Sequence, residues 1–239
     1  MQILRGWARL GITPAMCTAE CNVAVDNIAM GLLVAGVRVV RVGRRGENAG
    51  AALDAVSLDH LAACRLRQDE SAEAPDAGAS ASAPPNPHAP PSAPPDPRAL
   101  RNAQMEVLRE AEVICGQLLT AGGDFLKPLG PLRALLIDEV AQATELNAIV
   151  PIVARGCERL VLVGDQCQLP PSVRSREAET RGLSLSLFGR FIALGVQPHF
   201  LDTQVGTPPY PNPIPALTLS ADPKPIPTLP PHSTARTRC

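Results

Sequence analysis

Two short apolar runs constrain this chain more than any other feature. Residues 134–137 (Ala-Leu-Leu-Ile) and residues 160–163 (Leu-Val-Leu-Val) are continuous rather than alternating. A short run with no polar gap suits a strand buried on both faces, as in a parallel sheet. The first run ends in Asp138-Glu139 and the second in Gly164-Asp165. In open α/β sheets ligands bind beyond the carboxyl ends of the strands, so both acidic groups are expected along one crevice.

A carboxylate pair in that place has a use in phosphoryl transfer. One carboxylate holds the magnesium that bridges phosphate oxygens, and a second orients and deprotonates the attacking water. This reading assigns Asp138 to the metal and Glu139 to the water. The competing reading makes Asp138 a helix cap, a common use of Asp. The context favours the chemistry. Gln142, a helical segment, a second strand and then residues 164–171 (Gly-Asp-Gln-Cys-Gln-Leu-Pro-Pro) follow in order.

Residues 138–145 (Asp-Glu-Val-Ala-Gln-Ala-Thr-Glu) resemble helicase motif II, and residues 163–171 resemble motif III. Both are similar to superfamily 1 helicases of the up-frameshift type, the group acting in nonsense-mediated RNA decay, with relatives acting on DNA. The resemblance covers residues 111–204 and, more thinly, residues 17–43. It implies a RecA-like domain of the P-loop NTPase type, ATP and Mg2+ as cofactors, and single-stranded RNA or DNA as a partner. It also implies that Gln142, Asp165 and Gln168 lie at the nucleotide, with Gln168 sensing the γ-phosphate. For Gln168 the alternative is a turn residue ahead of Pro170-Pro171. Residues 17–26 (Cys-Thr-Ala-Glu-Cys-Asn-Val-Ala-Val-Asp) resemble motif Ia, whose loop touches the nucleic-acid backbone in the family. Asn22 would make that contact, or else cap the helix that follows. Glu20 sets a like charge against phosphate in the same loop.

The departures matter as much. The family's phosphate-binding loop, Gly-x-x-x-x-Gly-Lys-Thr, has no counterpart, and the chain contains no Gly-Lys dipeptide. After a strand at residues 112–115, a family loop that meets nucleic acid is replaced by Gly-Gln-Leu-Leu-Thr-Ala-Gly-Gly (residues 116–123), expected to be flexible. Beyond Gln204 the resemblance stops within one residue and Pro-rich sequence begins. An altered reading frame, a retained intron or a truncated gene model is expected; the alternative is a natural disordered tail.

Elsewhere the patterning is ordinary. Val25, Ile28, Ala29, Leu32 and Leu33 have helical spacing. A strand is expected at residues 37–42, interrupted by Arg38 and Arg41, and a helix at residues 53–68. Asp96-Pro97 starts a helix with the stripe Leu100, Ala103, Val107, Leu108 and Ala111. Pro151 is expected to bend or end a helix begun at residue 144. A further helix spans residues 182–195, capped by Ser184, with Leu187, Phe188, Phe191 and Ile192 on one side. Arg174, Arg176 and Arg181 form either a solvated face or a nucleic-acid edge.

Composition bounds the rest. Twenty-six prolines are too many for one compact domain, and residues 71–97 are Ala, Pro and Ser with almost no large apolar side chain. A net charge of -1 gives no overall pull toward nucleic acid. Seven cysteines without a CxxC pair read as reduced intracellular thiols, with zinc disfavoured. No apolar run is long enough to span a bilayer, so no membrane partner is expected.

The sequence therefore predicts an α/β fold: a partial three-layer RecA-like domain with a mainly parallel sheet, plus disordered Pro-rich segments. The domain lies in two parts, residues 17–70 and 98–204. Between them is an Ala/Pro/Ser-rich linker, residues 71–97. An unassigned N-terminus (1–16) and a Pro-rich tail (205–239) flank them. The expected function is a fragment of an ATP-dependent RNA or DNA helicase. The chain alone is expected to be inactive, for want of a phosphate cradle and of the second RecA-like domain with its arginine finger. The alternative is a non-enzymatic module presenting Pro-rich, PxxP-like segments to protein partners. The expected location is the cytoplasm, with the nucleus as the alternative.

Overall fold

Small and β-branched residues around the two apolar runs build one parallel sheet. Its strands are β1 (Ala15–Ala19), β2 (Val39–Arg41), β3 (Val113–Gln117), β4 (Leu132–Asp138) and β5 (Cys157–Leu162). They lie in the order β2-β3-β1-β4-β5, and each neighbouring pair is parallel. The computed structural model describes residues 1–44, 46, 50–73, 96–165 and 167–201, with the backbone alone for 70–73. The chain divides into two units, Met1–Pro198 and His199–Cys239, and the whole sheet belongs to the first.

Alternation along the strands makes three layers. Met16, Val40, Ile114, Leu135 and Ile137 face α5 (Pro97–Glu110), α6 (Leu118–Gly122) and α7 (Glu145–Arg155) through Leu108, Leu118, Ala121 and Ala148. Ala15, Cys17, Val39, Val113 and Leu136 face α1 (Gln2–Arg9) and α2 (Asn22–Val34) through Leu4, Trp7, Ile28 and Leu32. The expected partial RecA-like architecture, α/β with a parallel sheet, is what the chain forms. Residues 1–16, unassigned from sequence, supply α1 and the start of β1.

Several expectations need correction. Residues 160–162 do end β5, with Val163 just beyond it, but β5 is not buried on both faces. Glu158, Arg159 and Leu160 are exposed, Leu160 to 39%. An apolar run announces a strand but not its place in the sheet, and β5 is an edge strand. Residues 116–123 are not a loop: β3 extends through Gln117 and α6 starts at Leu118, burying Leu118 and Ala121. The helix at residues 53–68 is two, α3 (Ala51–Asp54) and α4 (Leu58–Glu73). Pro151 does not end α7, which runs on to Arg155. Pro151 is itself buried, so packing offsets the missing N–H.

At the far end, α8 (Arg176–Thr180) has no counterpart among the expected elements, and α9 (Leu187–Ala193) is shorter than expected. Its cap is Ser186, whose Oγ accepts from Gly189 N at 3.0 Å, not Ser184. Asp96 does cap α5, accepting from Arg98 N at 3.1 Å ahead of Pro97. Of the Pro-rich expectations, residues 74–95 and 202–239 lie outside the described residues; residues 71–73 belong to α4.

Candidate functional site at the carboxyl ends of the strands

In β4 and β5 the register pairs Ile137 with Leu162. Val163 N donates to Ile137 O at 2.8 Å, and Val140 N donates back to Val163 O at 2.9 Å. The loops after both strands are therefore joined by backbone, which brings Asp138-Glu139 and Gly164-Asp165 to one edge of the sheet. Gly164 allows the closeness: a Cβ there would lie 3.0 Å from Ala141 N.

Asp138 ends β4 half-buried. Burial raises its pKa above the ordinary Asp range, against a smaller lowering from a hydrogen bond with the Glu139 backbone. Asp138 caps no described helix. Glu139 takes the left-handed region at φ 52°, sparsely populated for a residue with a side chain. A short 3-10 turn, Val140–Gln142, follows. Gln142 Nε2 donates to Glu139 Oε2 at 3.1 Å, fixing the carboxylate beside Asp138.

Asp165 and Gln168 form a turn of their own. Asp165 Oδ1 accepts from Cys167 N at 2.8 Å and Oδ2 accepts from Gln168 Nε2 at 3.2 Å. Both residues are exposed, so this turn faces solvent as it stands.

Beyond β1 and β2 lies a cluster that sequence reasoning misses. Arg41, which reads as an interruption of a strand, is fully buried. Its Nε donates to Asp26 Oδ1 at 2.7 Å, and Nη2 donates to Asn22 Oδ1 at 3.0 Å and Arg44 O at 2.7 Å. Nη1 donates to Val42 O. Asp26 Oδ2 also accepts from Gly46 N at 2.7 Å. The available signal was an arginine inside a valine run, with an Asp and an Asn one helical turn apart on α2. Asn22 is not the helix cap; Cys21 is, its Sγ accepting from Ala24 N at 3.4 Å.

Glu20 follows Ala19, whose partners across the sheet are Gln117 on one side and Asp138 on the other. Its carboxylate accepts from Asn147 Nδ2 at 3.1 and 3.4 Å, and its backbone carbonyl accepts from Gln117 Nε2 at 3.1 Å. Asn147 stands in the first turn of α7, capped by Thr144.

Among the described residues, no three His, Cys, Asp or Glu side chains gather closely enough to hold a metal by themselves. Magnesium does not require that, because it keeps waters and takes one or two carboxylates plus phosphate oxygens. Asp138, half-buried at the carboxyl end of β4, offers such an ion one carboxylate. The triphosphate fits less well. The chain's lysines are Lys127 and Lys224, and Lys127 is paired with Asp124 at 2.7 Å. The residues present fit the metal and not the phosphate cradle. An apolar groove of about 500 Å³ beside β2, lined by Val37, Val39, Leu61 and Val107, contains none of these site residues.

A family model described as an AAA domain matches residues 97–176. The chain is 32% identical over 202 residues to the ATP-dependent helicase NAM7 of Saccharomyces cerevisiae, covering 80% of this chain and 19% of that protein. It is 30% identical over 207 residues to the ATP-dependent helicase upf1 of Schizosaccharomyces pombe, covering 86% and 22%. It is 42% identical over 104 residues to the Regulator of nonsense transcripts 1 homolog of Drosophila melanogaster, covering 44% and 9%. The chain thus spans about a fifth or less of these relatives. With its parallel sheet and joined loops, the chain belongs to the superfamily 1 helicases of the up-frameshift type and carries part of their RecA-like fold.

Proposed function

We propose that this chain carries the metal and water half of a helicase nucleotide site, within a motor that acts on single-stranded RNA or DNA. The observation behind the reading is the Val140–Val163 backbone bond, which places Asp138, Glu139 and Asp165 on one edge. Asp138 would hold Mg2+, which would supply positive charge against phosphate oxygens. Glu139, fixed by Gln142, orients a water and accepts its proton. Asp165 and Gln168 form the turn that reads the nucleotide's outer phosphate. Asn22, whose Oδ1 is taken by Arg41, offers Nδ2 to a strand's phosphate. The cytoplasm is the proposed location, and no described helix is long and apolar enough to cross a membrane.

With no Gly-Lys dipeptide in this sequence to form a phosphate cradle, hydrolysis by this chain alone should be negligible. ATP turnover by the chain is expected to match that of Glu139→Gln. Turnover clearly above that control would mean that the phosphates are held by a group not identified among these residues.

A further inference from the structure

The loop after β1 carries a carboxylate that cannot turn away from whatever docks there. A surface Glu near phosphate ordinarily swings into solvent, because its side chain has rotamers to spare. Glu20 has two N–H···O distances to Asn147 holding its carboxylate, and Gln117 holding its carbonyl. It is half-buried. The neighbouring strand end adds Asp138 and Glu139. Arg41, the buried cation of the same sheet, is already committed to Asp26, Asn22 and two carbonyls.

We propose that Glu20 is a specificity-determining residue of the nucleic-acid face: a carboxylate tethered by Asn147 that weakens the hold of the loop after β1 on anionic strands. This rests on the reading above that Asn22, two residues further on, meets a strand's phosphate. A divalent cation held by Asp138 would offset the field, so strand binding should depend on the divalent ion. Glu20 thereby ties strand occupancy to metal occupancy without touching either.

The test is the affinity of the full chain for a fluorescent single-stranded oligouridine, at low salt, with Mg2+ or with chelator. One unit charge about 4 Å away in water is worth about 1 kcal/mol, so Glu20→Gln should tighten metal-free binding about fivefold. Glutamine keeps the acceptor for Asn147, so the fold should be unchanged. Glu158→Gln, at the amino end of β5, makes the same change in net charge and should leave affinity within twofold. Asn147→Ala alters no charge but frees the Glu20 side chain, and it too should tighten metal-free binding. The differences should shrink at high salt as screening grows. Wild-type binding with no gain in Glu20→Gln over Glu158→Gln would overturn this inference and leave the function standing. A gain in Glu20→Gln without one in Asn147→Ala would remove the tether from it. No binding by any variant under any condition would overturn the function itself, and the inference with it.

Discussion

Val140 N donates to Val163 O at 2.9 Å, so the loop bearing Glu139 and the loop bearing Asp165 are joined through their backbones. That bond depends on Gly164. The φ of Gly164 lies outside the left-handed region, and at such a position Gly→Ala normally stabilises by about 0.4–1 kcal/mol through the unfolded chain. Here the new Cβ would lie 3.0 Å from Ala141 N and 3.3 Å from Val140 N, both backbone atoms that cannot rotate away. Overpacking of this kind costs about 1–3 kcal/mol, so the clash decides the sign. Gly164→Ala should lower the urea midpoint and weaken Mg2+ binding together. An unchanged midpoint would show that the two loops are not coupled.

Asp138 predicts a pH dependence. Burial raises its folded pKa, so the folded state prefers the protonated carboxyl. Its contribution to stability is complete below the unfolded Asp value of about 4 and is lost as pH rises through the raised folded value. In chelator, the wild type should lose stability across that window relative to Asp138→Asn. At neutral pH, Asp138→Asn should then be the more stable of the two. Mg2+ should reverse the order, because a ligand at a hundred times its dissociation constant adds about 2.7 kcal/mol. Thermal denaturation with and without Mg2+ measures both. A wild type that Mg2+ does not stabilise would remove Asp138 from the metal.

The ion pair between Asp26 and Arg41 predicts a large effect far from the metal. Removing one partner of a buried pair costs about 3–5 kcal/mol, because the other charge stays buried without compensation. Asp26→Ala should cost that much in urea unfolding. Asp26→Asn, which keeps an acceptor for Arg41 Nε, should cost less. Equal losses in the two variants would mean that charge, not the hydrogen bond, carries the pair.

The legible parts of this fold were those written in local pattern. β4, β5 and the capped start of α5 come from apolar runs and from Asp96-Pro97, where neighbouring residues alone decide the conformation. The carboxyl-edge grouping of Asp138, Glu139 and Asp165 followed from the strands being parallel. What depended on distant packing was not legible. Leu160 and Leu135 sit in similar runs, yet Leu135 is fully buried and Leu160 is open, because only strand order separates a central strand from an edge. Pro151 stays inside α7 because the helix is packed, and Arg41 is buried because Asp26 and Asn22 of α2 bond to it. Neither partner is within a window that periodicity can read.

Arg155 gives a prediction of the opposite sign. It lies at the end of α7, 5% exposed, and its Nε and Nη2 have no hydrogen-bond partner among the described residues. Burial pushes its pKa down, against a smaller pull upward from Asp124. Two opposing magnitudes decide what replacement does. A cation in the last turn of a helix contributes about 0.3–1 kcal/mol through the helix dipole. Each buried donor left unpaired costs about 1–3 kcal/mol, and there are two. The cost exceeds the gain, so Arg155→Met, which keeps the stem and removes the donors, should stabilise the fold by about 1 kcal/mol or more. The urea midpoint should rise, with its slope unchanged, since the same surface is exposed on unfolding. A fall in the midpoint would mean that Nε or Nη2 is satisfied in solution by water, and that Arg155 holds α7 in place.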